Sequence, residues 1–169
     1  LVELMAVVTI TAILATAGIT MFRRHIVASR GAEAVSFLQG MRAAEATYMS
    51  ENHIYLNVST SGNGAAWYPA ADPKNQRSRW MNSQHDDWKN WQKLGLPLDK
   101  TVAFSYLANA GGPGVAIPTL QVTNGPVFAV PQVDWYVLQA KGDTDGNGVY
   151  ALYATTSLTG ELYSENDSE

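Results

Sequence analysis

Glu3 is the only charged residue in the stretch from Leu1 to Phe22, LVELMAVVTITAILATAGITMF. A carboxylate held in surroundings that apolar is costly, by about 2.5–3.5 kcal/mol inside a bilayer. Two chemistries fit it. Near a helix start it can reach water at the membrane interface. Alternatively, it waits for a cation from another copy of the chain and is buried with that cation in an assembled apolar core. A second oxygen-rich run is Asp143-Thr144-Asp145-Gly146-Asn147-Gly148. Asp143, Asp145 and Asn147 alternate like the ligands in the first half of a calcium loop. An EF-hand also needs a later bidentate Glu and a helix on each side, whereas residues 149–156 read as a strand. A glycine-rich turn whose Asp and Asn side chains cap their own backbone fits the same residues, so no cofactor is expected, with calcium at this run as the alternative.

Other chemistry-bearing residues are scattered. His25, His53 and His85 lie far apart, and His85-Asp86-Asp87 is a short metal-capable run. Trp67, Trp80, Trp88 and Trp91 offer flat rings that either stack on sugars or fill a core. Asn57-Val58-Ser59 and Asn166-Asp167-Ser168 fit the N-glycosylation acceptor pattern. No nucleophile–base arrangement, phosphate loop or catalytic carboxylate pair stands out, so no enzyme is expected. The chain lacks cysteine, which excludes disulfides and thiolate metal sites within it. With a net charge of −4 and a pI near 5.3, it has no bulk basic surface for nucleic acid.

The elements that must position these groups begin with a long helix. Residues 1–22 match the roughly 20 apolar residues that span a bilayer. A cleaved signal peptide would open on positive charge, whereas this segment opens apolar with an acid. After Arg23, Arg24 and His25 the pattern changes without a break. Ile26, Val27, Ala28, Ala32, Ala34, Val35, Leu38, Met41, Ala44, Ala46, Tyr48 and Met49 recur at helical spacing, with Arg30, Glu33, Ser36, Gln39, Arg42 and Glu45 between them. The spacing predicts a helix from Leu1 to about Glu51, roughly 75 Å long at 1.5 Å per residue, with Asn52 as its stop. Its first half is apolar all round and its second half on one side.

Beyond residue 53 Gly, Pro, Ser, Asn and Asp become common. A short helix is expected over 86–93. Strands are expected over 102–108, 115–122, 127–130, 133–140 and 149–156, the last two joined by the turn at 141–148. The predicted fold class is α+β, with an antiparallel sheet packed on the second half of the helix. Three parts are expected: a membrane-spanning or core-forming segment (1–22), an amphipathic segment (23–52) and a β-rich head (53–169).

Residues 1–10, Leu-Val-Glu-Leu-Met-Ala-Val-Val-Thr-Ile, resemble the N-terminal signature of mature type IV pilins and type II secretion pseudopilins. The likeness is specific over about the first 25 residues, extends to the helix exit near residue 56, and beyond that is one of layout only. In that family a prepilin peptidase cuts before a Phe-Thr pair and the new amine is methylated. The resemblance implies that two residues precede Leu1. It also implies that Glu3 neutralises the N-terminal amine of a neighbouring subunit, with Leu1, Val2, Leu4 and Met5 packed around the pair. Where many members carry a Gly and a Pro, this chain has Ala12 and Thr20. Loosening of the helix between them is still expected, because Thr16, Gly18 and Thr20 are weak helix formers.

The function implied is that of a structural subunit. It would reside in the bacterial inner membrane, be assembled by the pilus machinery into a homopolymer, and reach the cell surface as a filament for adhesion, motility, DNA uptake or biofilm formation, with surface or glycan ligands. A pseudopilin of a periplasmic pseudopilus shares the same helix, and a membrane-anchored glycan-binding module is the alternative of a different class.

Overall fold

A computed structural model of the chain describes residues 2–60, 66–96 and 100–167, the side chain of Thr20 excepted. The fold is α+β. Helix α1 runs from Val2 to Asn52, 51 residues, and ends on the predicted stop. Its last turn closes through His53, whose backbone enters the left-handed region at φ 59° and whose N–H donates to the Met49 carbonyl at 2.9 Å. The helix is unbroken through Ala12, Thr16, Gly18 and Thr20.

The remaining described elements are short. Strand β1 (Ser78–Arg79) pairs with β2 (Thr101–Val102), and α2 covers Trp88–Lys93. Strands β3 (Ser105–Gly111), β4 (Trp135–Gly142), β5 (Ala151–Thr156) and β6 (Leu162–Glu165) form an antiparallel meander in that order. The β4–β5 hairpin turns through 143–150, where the acidic, glycine-rich run predicts a turn. Gly146 and Gly148 stand at φ 84° and 86°, a conformation that admits glycine with little strain.

Two predicted strands are absent. Residues 115–122 and 127–130 lie in an irregular β3–β4 connection. Their β-branched alternation imitates strands, but Pro118, Pro126 and Pro131 each remove a ladder donor. The connection is fixed instead by scattered bonds. Gln121 N donates to the Gln139 side-chain oxygen at 2.7 Å, Thr123 N to the Glu165 carboxylate at 2.7 Å, and the Trp135 indole N–H to the Val115 carbonyl at 3.1 Å.

On α1 the fully buried positions are Gly31, Ala34, Leu38, Met41 and Glu45, steps of three and four that trace one stripe. Ala28, Ala32 and Ala46, expected on that stripe, are exposed, and Glu45, read as one of the polar gap-fillers, takes a buried place. Ala34, Leu38 and Met41 belong to one buried cluster with Tyr106, Leu138 and Tyr153 of the sheet. Around it runs an aromatic network. Tyr68 meets Trp80 edge-on at 4.9 Å and stacks on Trp91 at 5.4 Å between ring centroids, while Phe37 of α1 lies 4.4 Å from Tyr106. Polar ties run alongside: Arg77 forms a two-pronged pair with Glu33 at 2.8 and 2.9 Å, and Arg42 donates to the Gly160 carbonyl at 3.3 Å.

Gly142 sets how closely β4 approaches this core. A Cβ there would lie 2.6 Å from the ring of Phe104, itself 1% exposed and unable to retreat. Gly142→Ala is therefore expected to destabilise the fold by about 1–3 kcal/mol in urea denaturation; an unchanged midpoint would show that the ring has room.

Candidate functional site

The apolar half of α1 is the outstanding surface of the molecule. Val2, Leu4, Met5, Val7, Val8, Ile10, Ile13, Leu14, Ile19, Met21 and Phe22 are all well exposed, Val2 at 81% and Phe22 at 67%. No described residue covers them, and their hydrophobic positions are distributed around the whole helix rather than along one stripe. By length and composition α1 can cross a membrane. Glu3 sits in its first turn, where a carboxylate also favours the helix dipole. Leu1 lies outside the described residues.

Glu3 and the 143–148 loop are not brought together. The loop is tied to α1 at Arg30, about 40 Å along the helix from Glu3 at 1.5 Å per residue. There Arg30 donates to the Asn75 side-chain oxygen and the Thr144 carbonyl, both at 2.6 Å. Within the loop the Asp143 carboxylate accepts Gly146 N at 2.7 Å and Gly148 N at 3.2 Å. The Asp145 carboxylate accepts the backbone and side-chain N–H groups of Asn147, both at 3.0 Å, and the Asn147 oxygen accepts Val149 N at 2.6 Å. Each oxygen of the proposed calcium ligands thus serves the turn itself. Calorimetric titration with calcium is expected to give no binding heat, and a saturable exotherm would overturn that assignment.

His85 uses both ring nitrogens within the protein. Nδ1 accepts Asp87 N at 3.1 Å, so Nε2 donates to the Trp67 carbonyl, also at 3.1 Å. No cluster of three His, Cys, Asp or Glu capable of holding a metal occurs among the described residues. Trp67, Trp80 and Trp91 are 0–1% exposed and present no face to a sugar, while Trp88 is half-buried. Asn57 is exposed, but Ser59 of the same acceptor triplet is buried, its hydroxyl accepting Ala108 N at 3.2 Å. Ser168 of the second triplet falls outside the described residues.

Two groups escaped sequence reasoning. Glu45 is fully buried at the distal end of α1, one oxygen accepting Leu56 N at 2.9 Å and the other with no partner among the described residues. Burial pushes its pKa up to about 7, against the lowering effect of the Leu56 bond. Lys141 of β4 lies 5.2 Å from the Trp67 ring centre and 4.6 Å from that of Tyr150, and donates to the Ala71 carbonyl at 3.0 Å. Burial lowers its pKa and Asp72 opposes that shift. Only the helical phase of Glu45 hinted at its burial; nothing local marks Lys141.

Comparison with protein families, with curated proteins and with solved structures found no match.

Proposed function

We propose that this chain is a structural subunit of a type IV pilus-like extracellular filament. The observation that carries the proposal is the contrast along one continuous helix. Residues 2–25 are exposed wherever their side chains are described, whereas from Gly31 to Glu45 one stripe is buried. The head serves the second half of α1 as its one-sided packing partner, and the first half needs an environment the monomer does not supply. A bilayer supplies it first. Copies of the same helix supply it afterwards, in the core of a filament sheathed by the heads. Membrane and filament core both keep the rod out of water, so apolar burial alone does not choose between them. The pairing of Glu3 with the N-terminal amine of a sister subunit supplies the bias toward assembly. Surface adhesion, motility, DNA uptake and biofilm formation are the functions such a filament would serve.

The test is electron microscopy of material sheared from cells expressing the chain, with immunogold labelling of the head. Thin labelled fibres are expected. Label confined to the membrane, with none on fibres, would favour an anchored binding module instead. A truncation starting at Arg24 is expected to be soluble and monomeric by sedimentation, since it keeps the buried stripe and loses the rod; fibre formation by this truncation would locate the polymer contacts in the head.

A further inference from the structure

Where α1 leaves its apolar half the local charge changes sharply. Residues 23–30 contain Arg23, Arg24, His25 and Arg30 and no acid, although the whole chain is acidic. Arg23, Ile26, Val27 and Arg30 fall on one helical face. Together with Asn75 and the first residues of the β4–β5 loop, this face bounds a cleft of about 290 Å³. The two arginines differ in state. Arg30 is spent on Asn75 and Thr144, as described above. Arg23 is exposed and bonds to no described residue. The second observation concerns Thr144, which lines the cleft and is 4% exposed, yet its hydroxyl has no hydrogen-bond partner among the described residues. A buried hydroxyl left unpaired is costly, so a ligand acceptor reaching it would be rewarded. Asp145 also borders the cleft. Its carboxylate oxygens are occupied by the N–H groups of Asn147, which blunts its repulsion of an anion.

Depth in the membrane selects the anion. Residues 2–22 span about 30 Å as a helix, the thickness of a bilayer's hydrocarbon core. Arg23 then emerges in the headgroup layer, where phosphates lie and where arginine side chains settle. We propose that this cleft binds the phosphate of an anionic phospholipid headgroup, with the Arg23 guanidinium and the Thr144 hydroxyl as donors. The phosphodiester carries one negative charge shared by two non-bridging oxygens, one oxygen for each donor. The inference rests on the reading that residues 2–22 cross a membrane. It gives the subunit a lipid contact at the boundary between rod and head, one that extraction into a filament must break.

The full-length chain is reconstituted in vesicles of phosphatidylcholine, alone or mixed with phosphatidylglycerol, then released in mild detergent and examined by native mass spectrometry for retained lipid. Phosphatidylglycerol is expected to be retained in preference to phosphatidylcholine. Arg23→Gln should reduce that retention about ten-fold, the scale of one charge-assisted hydrogen bond. Thr144→Val, which spares the carbonyl that Arg30 uses, should reduce it by a smaller factor. Lys89→Gln, on the exposed face of α2, should leave it unchanged. Equal retention of the two lipids, or wild-type retention by both cleft variants, would overturn the inference while vesicle flotation still showed the chain inserted. Displacement of phosphatidylglycerol by added inorganic phosphate would overturn the lipid assignment in favour of a free anion. Failure of the chain to float with either vesicle would sink the membrane reading and this inference with it.

Discussion

Replacing Glu3 with leucine is expected to abolish fibres while the head melts at its usual temperature. The substitution makes the rod more apolar, so any account resting on burial alone predicts unchanged or better assembly. The pairing proposed here predicts the reverse. Glu3 in the isolated chain lies on an exposed helix turn, about 40 Å along the helix from the hydrogen bonds to the head at Arg30, so its removal leaves the head's stability unchanged. In a filament core its loss would leave a sister subunit's cation buried without a counter-charge. Breaking one side of a buried pair costs about 3–5 kcal/mol, which at each subunit addition is a loss on the order of a hundred-fold or more. The measurement is fibre number by electron microscopy, paired with thermal melting followed by tryptophan fluorescence. Glu3→Gln should fail nearly as badly, because it retains size and polarity but not charge. Normal fibres in both variants would remove Glu3 from the mechanism.

The second large effect concerns Glu45. Its carboxyl is raised from 4.5 to about 7 in the folded chain, because burial penalises the charged form more than the Leu56 N–H favours it. Tyr55, Tyr136 and Asp134 lie in the same electrostatic neighbourhood, and none of them supplies positive charge. A raised carboxyl pKa means that the folded state holds a proton the unfolded state has released. The stabilising effect is complete below about pH 4.5, declines as pH rises, and is lost once pH passes about 7. The full swing is on the order of 3 kcal/mol. The full-length chain in detergent should therefore lose stability between pH 5 and pH 8, read as a falling urea midpoint. Glu45→Gln keeps an oxygen for Leu56 N and has nothing to ionise. Its midpoint should be nearly flat over that range and higher than wild type at pH 8. An equal slope in the variant would assign the pH dependence to other groups.

Much of this architecture was legible in the sequence because it rests on patterns with few competing solutions. An apolar run of some 20 residues followed by a stripe at three-and-four spacing has one helical interpretation, and the run from Asp143 to Gly148 could hardly be anything but a turn. The β3–β4 connection was misread for a physical reason. Val115, Ile117, Val127 and Val130 have the side chains of a strand, and only the distribution of prolines and long-range side-chain bonds denies them a ladder. β6 was missed because Leu162 to Glu165 is too short to show a period and exists by pairing with β5. Burial of Glu45 could not be read locally, since whether a polar residue at a stripe position is covered depends on segments far away in the chain. The cleft at Arg23 was invisible for the same reason: its walls come from α1, from Asn75 and from the β4–β5 loop, brought together only by folding.

The most direct measurement uses the fact that the chain contains no cysteine. A single cysteine placed at Leu14, midway along the exposed rod, reports only on contacts between separate chains. In cells making the Leu14→Cys protein, a thiol-reactive bifunctional cross-linker that enters membranes should capture dimers of the chain through that position. The same cross-link should be abundant in sheared fibres and depleted when Glu3→Leu is added. Capture of single chains only, in the membrane and in every sheared fraction alike, would contradict the account.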